Sequence, residues 1–440
     1  MLRAIPLALA TLGLLGATGV AAQGAPQGLN YRLGLGLDHS DNMARRPVAV
    51  ADTALTPSLG FAWVHEGASG EFEAAGNLAY RHYLRGRFDD EWLGQVGASG
   101  RWVIAPERLS WAFQAVLTDQ PLNPFSVDAP DNRQRAEVVL TGPTLALRPS
   151  PTTRLVGELR YLHTGADRSA DFDGRRVGAA VRGLYELDAL RTLSAELEGL
   201  EVDFQAASTA SDYRRGNGFL RFTRRGPNSD LNLDAGYSRV RFERVMPGEA
   251  EEESLPFLRF RLAYRFSDLG QFEVDASRGF GDSAEDLLEG APDPRDYALP
   301  VARLAFRNTT LSGDLFEQTG GRLGLSRRDE SLYLRLDGQW RRQEYLRASG
   351  LDQTVRGLYV SASRQVRATF SLAAQAGAEW RRYEAVDRSD RDTRLALIGQ
   401  WQTSRRSGLS LELSRGERQS SQAAQAYTDH RVFLAFTLVR

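Results

Sequence analysis

The sequence predicts an all-β chain: a transmembrane antiparallel up-and-down β-barrel of about 20 strands, within roughly 16 to 22. Three observations carry this. Apolar and polar residues alternate with a period of two over segments longer than ordinary globular strands. Short turns alternate with longer polar connections. Beyond the N-terminal segment, no apolar run is long enough to cross a bilayer as a helix.

Residues 1–22 read as a secretory signal peptide. Arg3 supplies the positive end, 4–16 form a short apolar stretch, and Val20, Ala21 and Ala22 precede a cleavage point before Gln23. No cysteine follows to carry a lipid anchor. Residues 23–28 then make a short periplasmic segment, and 29–440 a single outer-membrane barrel domain.

The strands follow one rule. Leu29, Tyr31, Leu33, Leu35 and Leu37 share one face, against Asn30, Arg32, Gly34, Gly36 and Asp38. Trp92, Gly94, Val96, Ala98, Gly100, Trp102 and Ile104 repeat it. So do Leu258, Phe260, Leu262, Tyr264 and Phe266, and Leu332, Leu334, Leu336, Gly338 and Trp340. Phe370, Leu372, Ala374, Ala376, Ala378 and Trp380 form another apolar face. In lipid an open sheet edge would leave backbone groups unpaired, so a set of such strands must close.

Short turns fall near 105–108, 148–153, 187–192, 225–229, 267–270, 327–330, 364–367 and 402–408; longer connections fall at 118–134, 164–175, 204–214, 244–254 and 416–429. Short periplasmic turns and long extracellular loops are the pattern of outer-membrane barrels. Both termini on the periplasmic side require an even strand number. The stretch 297–308, broken by Pro300, is therefore not a strand, and 281–314 becomes one long loop or constriction. Trp63, Trp102, Trp111 and Trp401 lie beside turns, while Trp92, Trp340 and Trp380 lie near loops, which predicts two aromatic girdles. The last strand presents Val432, Leu434, Phe436 and Leu438, and closes on Arg440 rather than on the aromatic that the outer-membrane assembly machinery usually reads.

Particular segments resemble known barrels. Gly34-Leu35-Gly36-Leu37-Asp38-His39-Ser40-Asp41-Asn42 is similar to the opening strand of bacterial beta-barrel porins. Ser277-Arg278-Gly279-Phe280-Gly281-Asp282-Ser283-Ala284-Glu285-Asp286, Trp380-Arg381-Arg382-Tyr383, Arg388-Ser389-Asp390-Arg391, Ser420-Ser421 and Tyr427-Thr428-Asp429-His430-Arg431-Val432 follow in an order that resembles the beta-barrel porin 2 family and the outer-membrane barrels of the PEP-CTERM system. The resemblance implies a Gram-negative outer-membrane location and a part in exporting exopolysaccharide or another surface polymer. Its implied partners are surface polysaccharide and its export proteins, with lipopolysaccharide and outer-membrane lipid around the barrel.

Composition limits the chemistry. Of 440 residues none is cysteine, five are histidine, and the 55 basic residues are all arginine. Thiolate zinc sites, cysteine nucleophiles, lysine Schiff bases and the P-loop lysine are thereby excluded. A net charge of −1 gives no reason to expect a nucleic-acid partner. No cofactor or metal is expected, and no catalytic residue. Ser283 lacks a histidine at usable spacing, His39, His65, His82 and His163 are scattered, and the aspartates Asp167, Asp171 and Asp173 lack the rest of a calcium loop.

The inward face is the candidate site. Its charged positions include Arg32, Arg81, Arg160, Arg259, Arg261, Arg265, Arg335, Asp337, Arg341, Glu379, Arg381 and Arg394. Two readings stand side by side: the arginine forks guide an anionic polymer, or they pair with acids across strands and fill space. Asp282, Glu285, Asp286, Arg295, Arg303 and Arg307 make 281–314 a candidate constriction, with a plain surface loop as the alternative. The acidic run Glu249, Glu251, Glu252 and Glu253 reads as a solvated loop. The functional expectation is a passive pore or export conduit, with an occluded scaffolding barrel and, less favoured, a barrel enzyme acting on lipid or polymer as alternatives.

Overall fold

The computed structural model describes residues 28–205, 211–244, 250–291 and 310–440. Within them the chain forms β1 (Gly28–Ser40), β2 (Asp52–Gly67), β3 (Gly70–Tyr83), β4 (Glu91–Ala105), β5 (Leu109–Pro121), β6 (Arg133–Leu147) and β7 (Thr153–Ala166). There follow β8 (Gly174–Glu186), β9 (Arg191–Phe204), β10 (Tyr213–Arg225), β11 (Ser229–Phe242), β12 (Glu252–Arg265) and β13 (Gly270–Gly281). After a short α-helix, α1 (Ser283–Glu289), come β14 (Phe316–Arg328), β15 (Leu332–Tyr345), β16 (Gln353–Arg367), β17 (Phe370–Tyr383), β18 (Arg388–Gln402), β19 (Ser407–Ser420) and β20 (Tyr427–Val439).

Each strand pairs antiparallel with its neighbours in sequence, and β1 pairs with β20 from Arg32–Val439 to Ser40–Arg431. Reciprocal bonds between Tyr31 and Arg440 extend the seam, with the Tyr31 amide 3.0 Å from the Arg440 carbonyl and the return bond 2.9 Å. The result is a closed barrel of 20 strands. Odd strands run from a rim of short turns, the turn rim, to a rim of longer connections, the loop rim.

Burial is inverted relative to a water-soluble protein. On β1, Leu33, Leu35 and Leu37 are about half exposed, whereas Asp38, next after Leu37, is fully buried. The same inversion runs around the barrel, so the outer surface is an apolar belt that only lipid can cover. All seven tryptophans point outward, the least exposed at 40%. Trp102 pairs with Trp111 near the turn rim, and Trp380 lies close to the loop rim opposite Arg356. No helix among the described residues is long and apolar enough to cross a membrane.

The strands reach further toward the loop rim than the alternation indicates. β5 continues to Pro121, β6 begins at Arg133, β12 begins at Glu252 and β19 runs to Ser420. Above the belt both faces are polar, so the period-two signal fades while the backbone ladder continues. Outward arginine–acid pairs mark this zone, such as Arg175–Asp203 at 3.0 Å, Arg278–Glu317 at 2.8 Å and Arg415–Glu417 at 2.9 Å. The acidic run is therefore not one solvated loop. Glu252 and Glu253 belong to β12, Glu252 pairs with Arg239, and Glu251 pairs with Arg241 at 2.6 Å. Glu249 lies outside the described residues.

A recurring device ties the loop rim. An aspartate just before a descending strand accepts the amide at the end of the strand before it: Asp90 from Tyr83 at 3.0 Å, Asp173 from Ala166 at 2.8 Å, Asp212 from Phe204 at 2.8 Å and Asp352 from Tyr345 at 2.7 Å. Each bond satisfies a terminal donor that the ladder leaves over.

The belt makes a directional prediction. Leu197, at mid-height on β9, is 69% exposed, and Leu29, near the turn rim, is 61% exposed. Leu197→Arg should destabilise the barrel by about 2–4 kcal/mol, and Leu29→Arg by about 0–1 kcal/mol. Urea titration of protein folded into vesicles, followed by tryptophan fluorescence, measures both.

Candidate functional site in the barrel lumen

The inward face is a lattice of ion pairs. Arg81 lies 3.5 Å from Asp38 and 3.3 Å from Glu91, and Asp38 also binds Arg431. Arg335 meets Asp337 at 2.6 Å and Glu273 at 3.2 Å, while Arg322 shares Asp337. Arg381 pairs with Glu379 at 2.6 Å, Arg261 with Asp275 at 2.7 Å, and Arg394 with Glu412 at 3.4 Å. Arg259 lies over the Phe257 ring at 4.5 Å, with no acid partner among the described pairs. Arg32 and Arg265 face inward toward the turn rim, on β1 and β12.

Arg160 has a specific occupation. The β6–β7 ladder skips from Thr141–Tyr161 to Thr144–Glu158. Gly142 there has φ +156°, and Pro143 has no amide to donate. Arg160 donates instead to the carbonyls of Gly142 at 3.2 Å and Pro143 at 2.6 Å. It repairs the ladder and is held at the wall.

The most continuous part of the lattice was not singled out from sequence. Arg182 bridges Glu158 at 2.7 Å and Glu196 at 2.9 Å. Arg221 then bridges Glu196 at 2.9 Å and Asp234 at 2.7 Å. Five strands, β7 to β11, are laced together this way. Arg418 ties β19 to β18 through Asp392 at 2.7 Å and Asp390 at 3.7 Å, and Asp390 also holds Arg388 of its own strand.

The described start of the connection from β13 to β14, residues 282–291, folds into the lumen. Asp282 caps α1 by accepting the amides of Ala284 and Glu285, both at 2.9 Å. The apolar side of α1, Ala284, Leu287 and Leu288, packs with Leu311 against inward residues of the far wall: Val116 on β5, Ala136 and Val138 on β6, and Leu162 on β7. Gln114 and Gln95 donate to the Leu288 and Gly290 carbonyls at 3.5 and 3.2 Å. On the polar side Asp282 meets Arg176 at 3.3 Å and accepts from the Tyr213 hydroxyl at 2.9 Å. Glu285 is bound by both terminal nitrogens of Arg215, and Asp286 lies 3.8 Å from Arg341. Thus α1 touches walls on both sides of the lumen. Arg295, Arg303 and Arg307 lie outside the described residues.

A second connection, 122–132, crosses from the opposite side. Phe125 packs edge-on to Tyr383 at 5.2 Å, and its carbonyl accepts from Arg388 at 2.6 Å. Asp128 is held by Arg133 at 2.8 Å and by Arg45 at 3.6 Å. Inward aromatic residues cluster at the loop-rim strand ends: Tyr83, Phe204, Tyr213, Phe242, Phe316, Tyr345 and Tyr383, each at most 8% exposed. The sequence signal for this collar was an aromatic at the loop-rim end of β3, β9, β11, β15 and β17 and at the start of β10 and β14.

Two other features have plain structural roles. The Ser283 hydroxyl donates to the Thr310 carbonyl at 2.7 Å and is fully buried. Among the described residues no three histidine, aspartate or glutamate side chains are grouped to hold a metal.

Solved structures with a similar course of chain include receptors and transporters. They include a ferric enterobactin receptor from Pseudomonas aeruginosa (11% identity, 95% of this chain and 81% of that chain, TM-score 0.49) and the FrpB iron transporter from Neisseria meningitidis (9%, 94% and 83%, 0.49). A third is the copper transporter OprC (10%, 94% and 81%, 0.45). Likeness this distant concerns barrel shape alone. No family model and no curated protein matches the chain, so the family resemblance of the short motifs has no family match behind it.

The anchor of α1 generates two predictions. Asp282 and Arg176 are each 2% exposed, so removing one charge strands the other. Asp282→Asn keeps a capping side chain but should weaken α1 attachment by about 3–5 kcal/mol. Asp282→Ala should cost about 1 kcal/mol more through the lost cap. Hydrogen exchange at the Asp286 and Gly290 amides, which close the first and last turns of α1, reads both.

The second concerns pH. Burial pushes the Asp282 carboxyl up, but Arg176 and Arg215 outweigh it and hold the group below the usual aspartate range. Asp128 is likewise lowered, by Arg133 and Arg45 against burial. A lowered folded value means stabilisation that is present above the ordinary aspartate value of about 3.9 and is lost as pH falls through the lower folded value. Exchange at the α1 amides, corrected for intrinsic rates, should be unchanged from neutrality to about pH 5 and accelerate below the ordinary value.

Proposed function

We propose that this chain is a passive conduit in the outer membrane of a Gram-negative bacterium, closed at rest by its own inward-folded connections. The turn rim faces the periplasm and the loop rim the exterior, as short turns and long loops do in such barrels. The observation that carries the reading is α1. It is fastened inside the lumen by a small apolar contact on one wall and three ion pairs on the others, a set of contacts that can be made and broken without disturbing the strand ladder. A barrel of this strand number encloses a wide lumen, which must be filled or gated.

The cargo we assign is exopolysaccharide or another surface polymer. This rests on the resemblance of the segments around Ser277, Trp380 and Tyr427 to barrels of polymer-export systems. Driving energy comes from elsewhere, since the chain has no phosphate-cradling P-loop. Lipopolysaccharide surrounds the upper belt, and the assembly machinery inserts the barrel. A scaffolding barrel with a permanently shut lumen is the second reading; the wall arginines already paired to wall acids favour it.

Conductance in planar bilayers separates the two. Wild type should rest closed, and a variant with 283–311 replaced by a short glycine–serine turn should conduct steadily. In cells lacking the gene, secreted polymer should fall while periplasmic polymer accumulates. A loop-replaced barrel that stays silent would leave the scaffolding reading, and unchanged polymer pools would remove the polymer assignment.

A further inference from the structure

The ion pairs that fasten α1 differ from those of the wall in one respect, and the difference bears on what the conduit carries. Wall arginines such as Arg182, Arg221 and Arg335 find their acids on the wall, fixed by strand register. Among the described ion pairs, Arg215 on β10 and Arg341 on β15 find theirs only on α1. Withdrawal of Glu285 and Asp286 leaves both guanidinium groups without an ion-pair partner among the described residues.

Resting on the conduit reading above, we propose that Arg215 and Arg341 form the receiving site for an anionic, carboxylate-bearing polymer, and that Glu285 and Asp286 occupy it as internal stand-ins. The geometry of Arg215 is that of carboxylate recognition. Its two terminal nitrogens take the two oxygens of Glu285, with the Nη1 contact at 3.2 Å. Its Nε is buried with no acceptor among the described residues, which leaves a donor for a further ligand oxygen.

The three pairs also divide by access. Arg176 and Asp282 are sealed at 2% exposure each, which makes them a hinge. The Glu285 side chain is 41% exposed and that of Arg341 is 36% exposed, so one partner of each remaining pair is open to an arriving anion. A polymer carboxylate that takes Arg215 and Arg341 displaces the two acids. The capped, buried end of α1 then stays fixed as the hinge, and the small apolar contact of Leu287 and Leu288 alone opposes its swing.

The test uses the full-length protein in planar bilayers, with oligogalacturonate as the carboxylated probe and a neutral dextran of equal length as control. An E285Q/D286N variant should conduct without added polymer, and oligogalacturonate should block its current. Adding R215Q and R341Q should weaken that block by at least about tenfold. R215K and R341K in their place should recover part of it, because charge remains while the fork is lost. Neutral dextran should block none of the three. Folded-barrel gel mobility confirms that each variant is assembled. Equal block by the two oligomers, or block unchanged by arginine removal, would overturn the anionic assignment while leaving the conduit intact. Silence of the loop-replaced barrel would instead take down the conduit reading beneath it.

Discussion

A chain that crosses hydrocarbon must satisfy its backbone from within, and the seam between β1 and β20 is where this chain meets that demand. Without the pairing from Arg32–Val439 to Ser40–Arg431, two strands would present unpaired amides and carbonyls to lipid, each costing several kcal/mol. Closure fixes the rest. It sets the register around the ring, and register decides which inward residues stand side by side. It also makes the wall rigid, so whatever moves in this molecule must hang from the loop rim. Even the local exception obeys the constraint. Where Gly142 and Pro143 interrupt the ladder, Arg160 supplies the missing donors from its side chain.

The exclusive use of arginine follows from the same geometry. Inward residues at one level on neighbouring strands stand about 5 Å apart. A guanidinium fork spans that gap and can serve an acid on each side, as Arg182 does for Glu158 and Glu196. A lysine ammonium is a point charge and would bind one of them less directionally. Repeated over β7 to β11, the forks tie strands that the backbone already pairs, so the charges of the wall spend most of their attraction on one another. The isolated value of each pair is modest, because burial costs much of the Coulombic gain. Their collective effect is a neutral, stiff lining, and this is why arginines that depend on α1 stand out against it.

Much of this was legible in the sequence. Period-two alternation separates Leu33, Leu35 and Leu37 from Asp38 without any knowledge of pairing, and parity together with the break at Pro300 set the strand number at 20, although the excluded stretch 297–308 itself lies outside the described residues. What the sequence could not supply was partnership. Arg160 looked like any other lumen arginine, because its occupation depends on a ladder gap on the neighbouring strand; Pro143 inside a strand pattern was the available signal. The upper strand ends were hidden for a physical reason: above the lipid belt both faces meet water, and alternation carries no information there. The collar of Tyr83, Phe204, Tyr345 and Tyr383 was missed because each aromatic sits on the inward, polar parity of its strand.

The segment after β13 shows how a local signal acquires meaning only from topology. Asp282 and Glu285 have the spacing of a capping box, which announces a helix start, and Leu287 with Leu288 gives that helix an apolar side. On an exposed loop such a helix, of seven residues, would be marginal. Inside the barrel it is stabilised by a wall it does not belong to, since Val116, Val138 and Leu162 lie on strands far from β13 around the ring. Its acids are equally dependent on distant strands, for Arg176, Arg215 and Arg341 come from β8, β10 and β15. The helix therefore reports the closure of the barrel: it can persist only where a lumen brings those strands within reach of one another. An element with little stability of its own, held by contacts the ladder does not need, can leave its place without breaking the strand ladder, and that is the physical requirement for a gate in a rigid pore.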